Sequence, residues 1–143
     1  MINYPVLFQA AAKATSGISS LWQFESQGLL NGCAIPPEFE GPGGAYSPED
    51  LFAQALTNCF VATFKVYAEK SKLVFQNVDV QTELSVDLDE TKKPIMSQCR
   101  LKVSISGCGD VQRAKLIANK AFASGFILNS VKTEVKLDLH CSE

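Results

Sequence analysis

The longest helix-compatible stretch of the chain is "SPEDLFAQALTNCFVATFKVYAEKSKL", positions 47 to 73. Wound at 3.6 residues per turn, its polar Gln54, Asn58, Lys65 and Glu69 fall near one narrow stripe. Nearly everything else is apolar, including Leu51, Leu56, Cys59, Phe60, Phe64, Val66 and Tyr67. A helix apolar over so wide an arc has to be buried on several sides. Its start is marked by Ser47 as N-cap, Pro48 at the first helical position and Asp50 closing an S-x-x-D capping box. Glu49 and Asp50 suit the positive end of the helix dipole, and Lys70 and Lys72 the other end. From Pro48 to Lys72 the pattern predicts a rod of roughly 35–38 Å, longer than a domain of this size needs. A second subunit is the economical cover.

Period-two patterns dominate the rest. "NVDVQTELSVDLD" alternates strictly, with Val78, Val80, Thr82, Leu84, Val86 and Leu88 on one face. After the turn "ETKKP", "IMSQCRLKVSISG" alternates again, with Ile95, Ser97, Cys99, Leu101, Val103 and Ile105 together. The two predict an antiparallel hairpin. "CGDVQRAKLIANKAFASG" predicts a second helix, capped by Asp110 and ended by Gly125, with Val111, Ala114, Ile117, Ala118, Ala121 and Phe122 as its core stripe. "VKTEVKLDLH" is a last strand. Before the long helix, "LFQAAAKAT" and "SLWQFES" read as strands, "QGLLNG" as a turn, and the Pro- and Gly-dense "IPPEFEGPGG" as a non-helical loop or edge. Strands, long helix, two strands, helix and strand make an α+β fold with mainly antiparallel sheet, one domain over positions 1–143.

Composition narrows the function. The 143 residues carry a formal net charge of −2 with no basic block, which argues against a nucleic-acid partner. No apolar run is long enough to span a membrane. "MINYPVLFQAAAKATSG" lacks the basic start and apolar block of a secretory signal, so a soluble cytoplasmic protein is expected. The five cysteines, Cys33, Cys59, Cys99, Cys108 and Cys141, are irregularly spaced, with no C-x-x-C. The single histidine, His140, stands beside Cys141 without a second ligand pair, so neither a metal site nor a cofactor is expected.

"GGAYSPEDLFAQALTNCFVATFKVYAEKSKL" resembles the signature of the OsmC/Ohr proteins, the osmotically inducible and organic hydroperoxide resistance group. In that signature a Gly-rich loop precedes S/N-P-E-x-L, a small-residue stretch ending in C-F, and Y/A-A-E. The preceding "IPPEFEGPGG" also fits, and the order of elements fits over nearly the whole chain. The resemblance implies an intertwined homodimer with sheets wrapped around two long central helices. It also implies a peroxide reductase that prefers organic hydroperoxides, with Cys59 as the attacking cysteine, Glu49 as the family's glutamate and a thiol as external reductant. Two departures accompany the match. The position of the resolving cysteine falls on Gly125, in "ASGFILN", and that of an arginine in the first strand-turn region falls on Ile18. The chain's only arginines are Arg100 and Arg113. Lys13 and Lys102 are the substitutes to consider for the missing cation.

Plainer readings stand beside these. Cys59 also reads as a small apolar side chain in a buried helix, and Glu49 as a first-turn acid favouring the dipole. Cys99 reads as core filler, Cys108 in "SGCGD" and Cys33 in "LNGCAIPP" as loop thiols, with Cys108 accessible, and Cys141 as incidental. Tyr46 and Phe60 read either as simple core or as walls of an apolar pocket near the thiol. Two functions follow: a reductase in oxidative stress defence, working from Cys59, or a non-catalytic dimer of the same fold that binds a small apolar ligand.

Overall fold

A computed structural model describes all residues, Met1–Glu143. The chain divides into two compact units, Met1–Leu51 and Phe52–Glu143.

The first unit is a three-stranded antiparallel sheet of β1 (Ala11–Lys13), β2 (Trp22–Ser26) and β3 (Leu29–Cys33) in that order. The stretch "QGLLNG", expected as a turn, contains most of β3. Only Gln27 and Gly28 turn, with φ of 55° and 77°. Two consecutive positive φ values make the tight hairpin turn whose twist matches the strands, so pairing resumes at once with Leu29 opposite Ser26. The Pro- and Gly-rich stretch is a loop as expected, apart from a single 3-10 turn at Pro37–Phe39 that starts on a proline. The chain then returns so that Cys33 bridges to Tyr46, and the Ala34 N–H donates to the Tyr46 carbonyl at 2.9 Å.

Helix α1 (Pro48–Lys70) starts at the end of this unit and supplies the long helix of the second. Its start is the reciprocal box read from the sequence. The Asp50 N–H donates to Ser47 Oγ at 3.0 Å and the Ser47 N–H to Asp50 Oδ2 at 2.9 Å. It stops short of Lys72, which takes φ 54° and lets the Leu73 N–H reach back to the Ala68 carbonyl at 2.9 Å. That is a Schellman closure with lysine where glycine is usual.

The second unit continues with β4 (Asn77–Leu88) and β5 (Pro94–Ser106), an antiparallel hairpin, then α2 (Val111–Ser124) and β6 (Glu134–Cys141). Asp110 caps α2, accepting the Arg113 N–H at 3.1 Å. β6 pairs parallel to β5, because α2 is a crossover that returns the chain to the same end of the sheet. A register shift at Ser85/Val86 sets Met96 opposite Val86 and Ile95 opposite Asp87. The face expected to include Ile95 and Ser97 therefore holds only from Cys99 onward, as a bulge reverses the alternation.

The core of this unit is a single cluster. Leu56, Phe60, Phe64 and Ala68 recur every fourth residue of α1 and are all essentially inaccessible. They meet Cys99, Leu101, Val103 and Ile105 of β5 and Ala114, Ala118 and Ala121 of α2. Phe60 stacks on Phe64 at 6.0 Å, and Phe64 meets Phe75 edge-on at 5.1 Å. The rest of α1's apolar surface stays partly open, with Ala62 exposed and Val66 50 % accessible. No helix is long and apolar enough to cross a membrane.

Phe60→Ala is expected to lower unfolding free energy by about 3–5 kcal/mol. Ser47→Ala, which removes one arm of the capping box, is expected to cost about 1 kcal/mol. Urea denaturation of the two variants separates these, and losses of equal size would contradict the assigned core.

Candidate functional site

Cys59 sits beside the buried stripe of α1, one residue before Phe60, and is half-buried. Its wall is the C-terminal end of α2. The two helices run antiparallel, and three contacts trace the path. The Arg113 guanidinium donates to the Ser71 carbonyl just past the end of α1, the Lys120 ammonium lies 5.3 Å from the centre of the Tyr67 ring, and Gly125 arrives at Cys59.

Gly125 ends α2 as expected, but not through a left-handed backbone. Its φ of −64° and ψ of 132° suit any residue. What sets this position apart is space, since any side chain here makes the Cys59 or Leu128 side chain shift. A Cβ at this position would stand 2.9 Å from Cys59 Sγ and 2.9 Å from Leu128 Cδ1. Across a disulfide, one cysteine's Cβ lies about 3 Å from the partner's sulfur, given an S–S bond near 2.05 Å. Position 125 is thus where a cysteine side chain could cross-link Cys59, and glycine supplies no sulfur there. The loop is firmly tied there. The Gly125 carbonyl accepts the Asn129 backbone N–H at 3.0 Å and its side-chain amide at 2.9 Å, and the same amide donates to the Ala123 carbonyl at 2.9 Å. Phe126, which follows, is 79 % exposed.

The other thiols lie elsewhere. Cys99 is the core filler expected, fully buried on β5, and burial pushes its thiol up from the ordinary value. Cys33 is not a loop thiol but the buried last residue of β3. Burial raises its pKa, against the Ala34 N–H, and the carboxylates of Glu49 and Asp50 add to the rise. Cys108 is not accessible either. Its thiol points to the Ile105 carbonyl at 3.6 Å and only 4 % of the residue is exposed, because Gly107, with φ 69°, turns the chain back under the sheet. Cys108 precedes α2 and Gly125 follows it, so the 14 residues of helix between them, about 21 Å, keep Cys108 from resolving Cys59 within one chain.

Glu49 lies in the first turn of α1, half-buried. Ten residues of continuous helix, about 15 Å, run from it to Cys59, so the two do not meet along one α1. Of the cations, Arg100 pairs with Asp138 at 3.7 Å, both side chains well exposed. Lys102 lies on that same outer face of β5, opposite the inward Leu101 and Val103. Arg113 is at the far end of α1. Lys13 belongs to the exposed β1 of the first unit. Phe60 is core, and Tyr46 is 52 % exposed in the first unit.

A family model described as OsmC-like protein matches residues 41–140, from the loop before α1 to the end of β6. The chain belongs to the OsmC-like protein family. The uncharacterized protein YmaD of Bacillus subtilis (strain 168) is 26 % identical over 122 residues, which is 82 % of this chain and 81 % of YmaD. Among solved structures, an OsmC-like protein of unknown function from Vibrio cholerae superposes with a TM-score of 0.83 at 19 % identity, covering 94 % of this chain and 99 % of the other. An organic hydroperoxide resistance protein OsmC from Legionella pneumophila gives 0.75 at 27 % identity, covering 96 % and 99 %. The organic hydroperoxide resistance protein OhrB of Bacillus subtilis gives 0.71 at 21 % identity, covering 94 % and 100 %. The α+β fold of this OsmC-like chain is therefore that of the OsmC/Ohr proteins.

Gly125→Cys is expected to link to Cys59 under mild oxidation, seen as a joined peptide pair and the loss of two hydrogen masses. Gly125→Ala gains no such link and overpacks the contact, at a cost of about 1–3 kcal/mol in stability. Failure of Gly125→Cys to link would contradict the close approach of this backbone to the sulfur.

Proposed function

We propose that this OsmC-like protein is a thiol-dependent reductase of organic hydroperoxides, serving oxidative stress defence through Cys59 alone. The observation that carries the reading is the Cys59 sulfur, half-buried against Gly125 in the fold shared with hydroperoxide resistance proteins. In the first step the Cys59 thiolate attacks the O–O bond, an alcohol leaves and the sulfur becomes a sulfenic acid. An external thiol then displaces the hydroxyl as water and forms a mixed disulfide. A second external thiol releases Cys59. Phe126 and Ile127, exposed next to Gly125, offer apolar contact for the organic part of the peroxide.

The reading includes a homodimer. The uncovered flank of α1, with Ala62 and Val66 open, is the kind of surface a second copy would bury. A second copy could also bring its own Glu49 to Cys59, which α1 of the same chain cannot do. Light scattering is expected to give twice the mass of one chain.

Hydroperoxide consumption with a dithiol reductant tests the chemistry. The wild type is expected to turn over and Cys59→Ser to fall to the uncatalysed rate. With no resolving partner at position 125, excess peroxide is expected to drive Cys59 to sulfinic acid and inactivate the protein irreversibly. Equal consumption by both proteins would instead favour the non-catalytic dimer that binds a small apolar ligand, a reading supported by the placement of both arginines away from Cys59.

A further inference from the structure

Cys108 and Cys141 come from separate elements and meet at one end of the core. The parallel register seats Cys141, the last residue of β6, beside Ile105 of β5. Just beyond, the Cys108 N–H donates to the Ser142 carbonyl at 3.0 Å, and the Ser142 N–H donates to the Ile105 carbonyl at 2.9 Å. The Cys108 thiol donates to that same Ile105 oxygen at 3.6 Å. Both donors end on one oxygen, so the Cys108 sulfur lies next to the peptide joining Cys141 to Ser142. Both cysteines are buried, at 4 % and 7 % exposure, in the same cluster. After burial, the next influence on the Cys141 thiol is the charge of Cys108, while Lys115 on α2 acts in the opposite sense.

We infer that Cys108 and Cys141 are a redox pair that closes to an intramolecular disulfide, tying the end of β6 to the turn between β5 and α2. An organic hydroperoxide supplies the oxidising equivalents. One sulfur takes the terminal oxygen as the O–O bond breaks, an alcohol leaves, and a sulfenic acid remains. The second thiol displaces that hydroxyl as water and the S–S bond forms. Two thiols give up two electrons and one hydroperoxide is reduced. β6 is an edge strand, and its end opens locally more readily than the interior of the sheet, which admits the oxidant. The helix between Cys108 and Gly125 keeps this pair apart from Cys59, so the two thiol chemistries are independent.

The test uses the full chain with Cys59→Ser, which leaves four thiols. It is treated with cumene hydroperoxide and, in parallel, with diamide. Free thiols are blocked with iodoacetamide, and the chain is digested without reductant. The expected result is a joined pair of peptides holding Cys108 and Cys141, restored to free thiols by dithiothreitol and lost when either Cys108→Ser or Cys141→Ser is added. The same map on the unsubstituted chain gives the same link and guards against a variant that misfolds. Four alkylated thiols after both oxidants, or a link to Cys33 or Cys99, would overturn the inference. Neither outcome bears on turnover by Cys59, which this background has removed.

Discussion

Leu56, Phe60, Phe64 and Ala68 recur once per turn of α1, and the inward faces of β5 and α2 both close upon them. Burying each phenylalanine there contributes about 1.5–3 kcal/mol, so the stripe fixes how α1 is rotated. Once the rotation is set, Cys59 can lie only on the flank of the stripe, partly covered and partly open. The antiparallel run of α2, pinned at Ser71 and Tyr67, then delivers its last turn to that flank. The position of the sulfur is a by-product of core packing, and the approach of Gly125 to it follows from the length of α2.

That dependence leaves position 125 without a side-chain role in holding the fold. The backbone at Gly125 is held by the backbone and side-chain amides of Asn129, and neither relies on a side chain at position 125. Removing a side chain there lets the loop pack directly on the sulfur. The result is one half-buried thiol on the flank of α1, in a protein whose other four cysteines are buried.

Much of this was legible in the sequence where a physical period or a cap was at work. Ser47 and Asp50 announced their reciprocal hydrogen bonds, Asp110 its cap, and the alternation from Val78 to Leu84 its half-buried strand. The misses have causes that periodicity does not carry. Nothing in "QGLLNG" distinguishes a two-residue turn from a longer one, since that depends on Gln27 adopting a positive φ. The bulge that reverses Met96 and Ile95 is a matter of pairing between strands. Cys108 looked exposed because glycines flank it, yet Gly107 folds it inward. Gly125 ends α2 as the sequence suggests, but its close approach to Cys59 across the helices needs three dimensions. The meeting of Cys108 and Cys141 left no mark at all, because parallel register is set by the crossover.

The parallel placement of β6 also bears on how the chain assembles. β4 and β5 can zip from the tight turn between them, each new rung adjacent to the last. β6 has no such starting point, because its first pairing partner, Gln98, is separated from Glu134 by the remainder of β5 and all of α2. The loop entropy of that closure has to be met before any hydrogen bond of the ladder repays it. Within this unit the pairing of β6 with β5 is therefore the contact that carries a long loop closure, whereas the β4–β5 hairpin carries a short one.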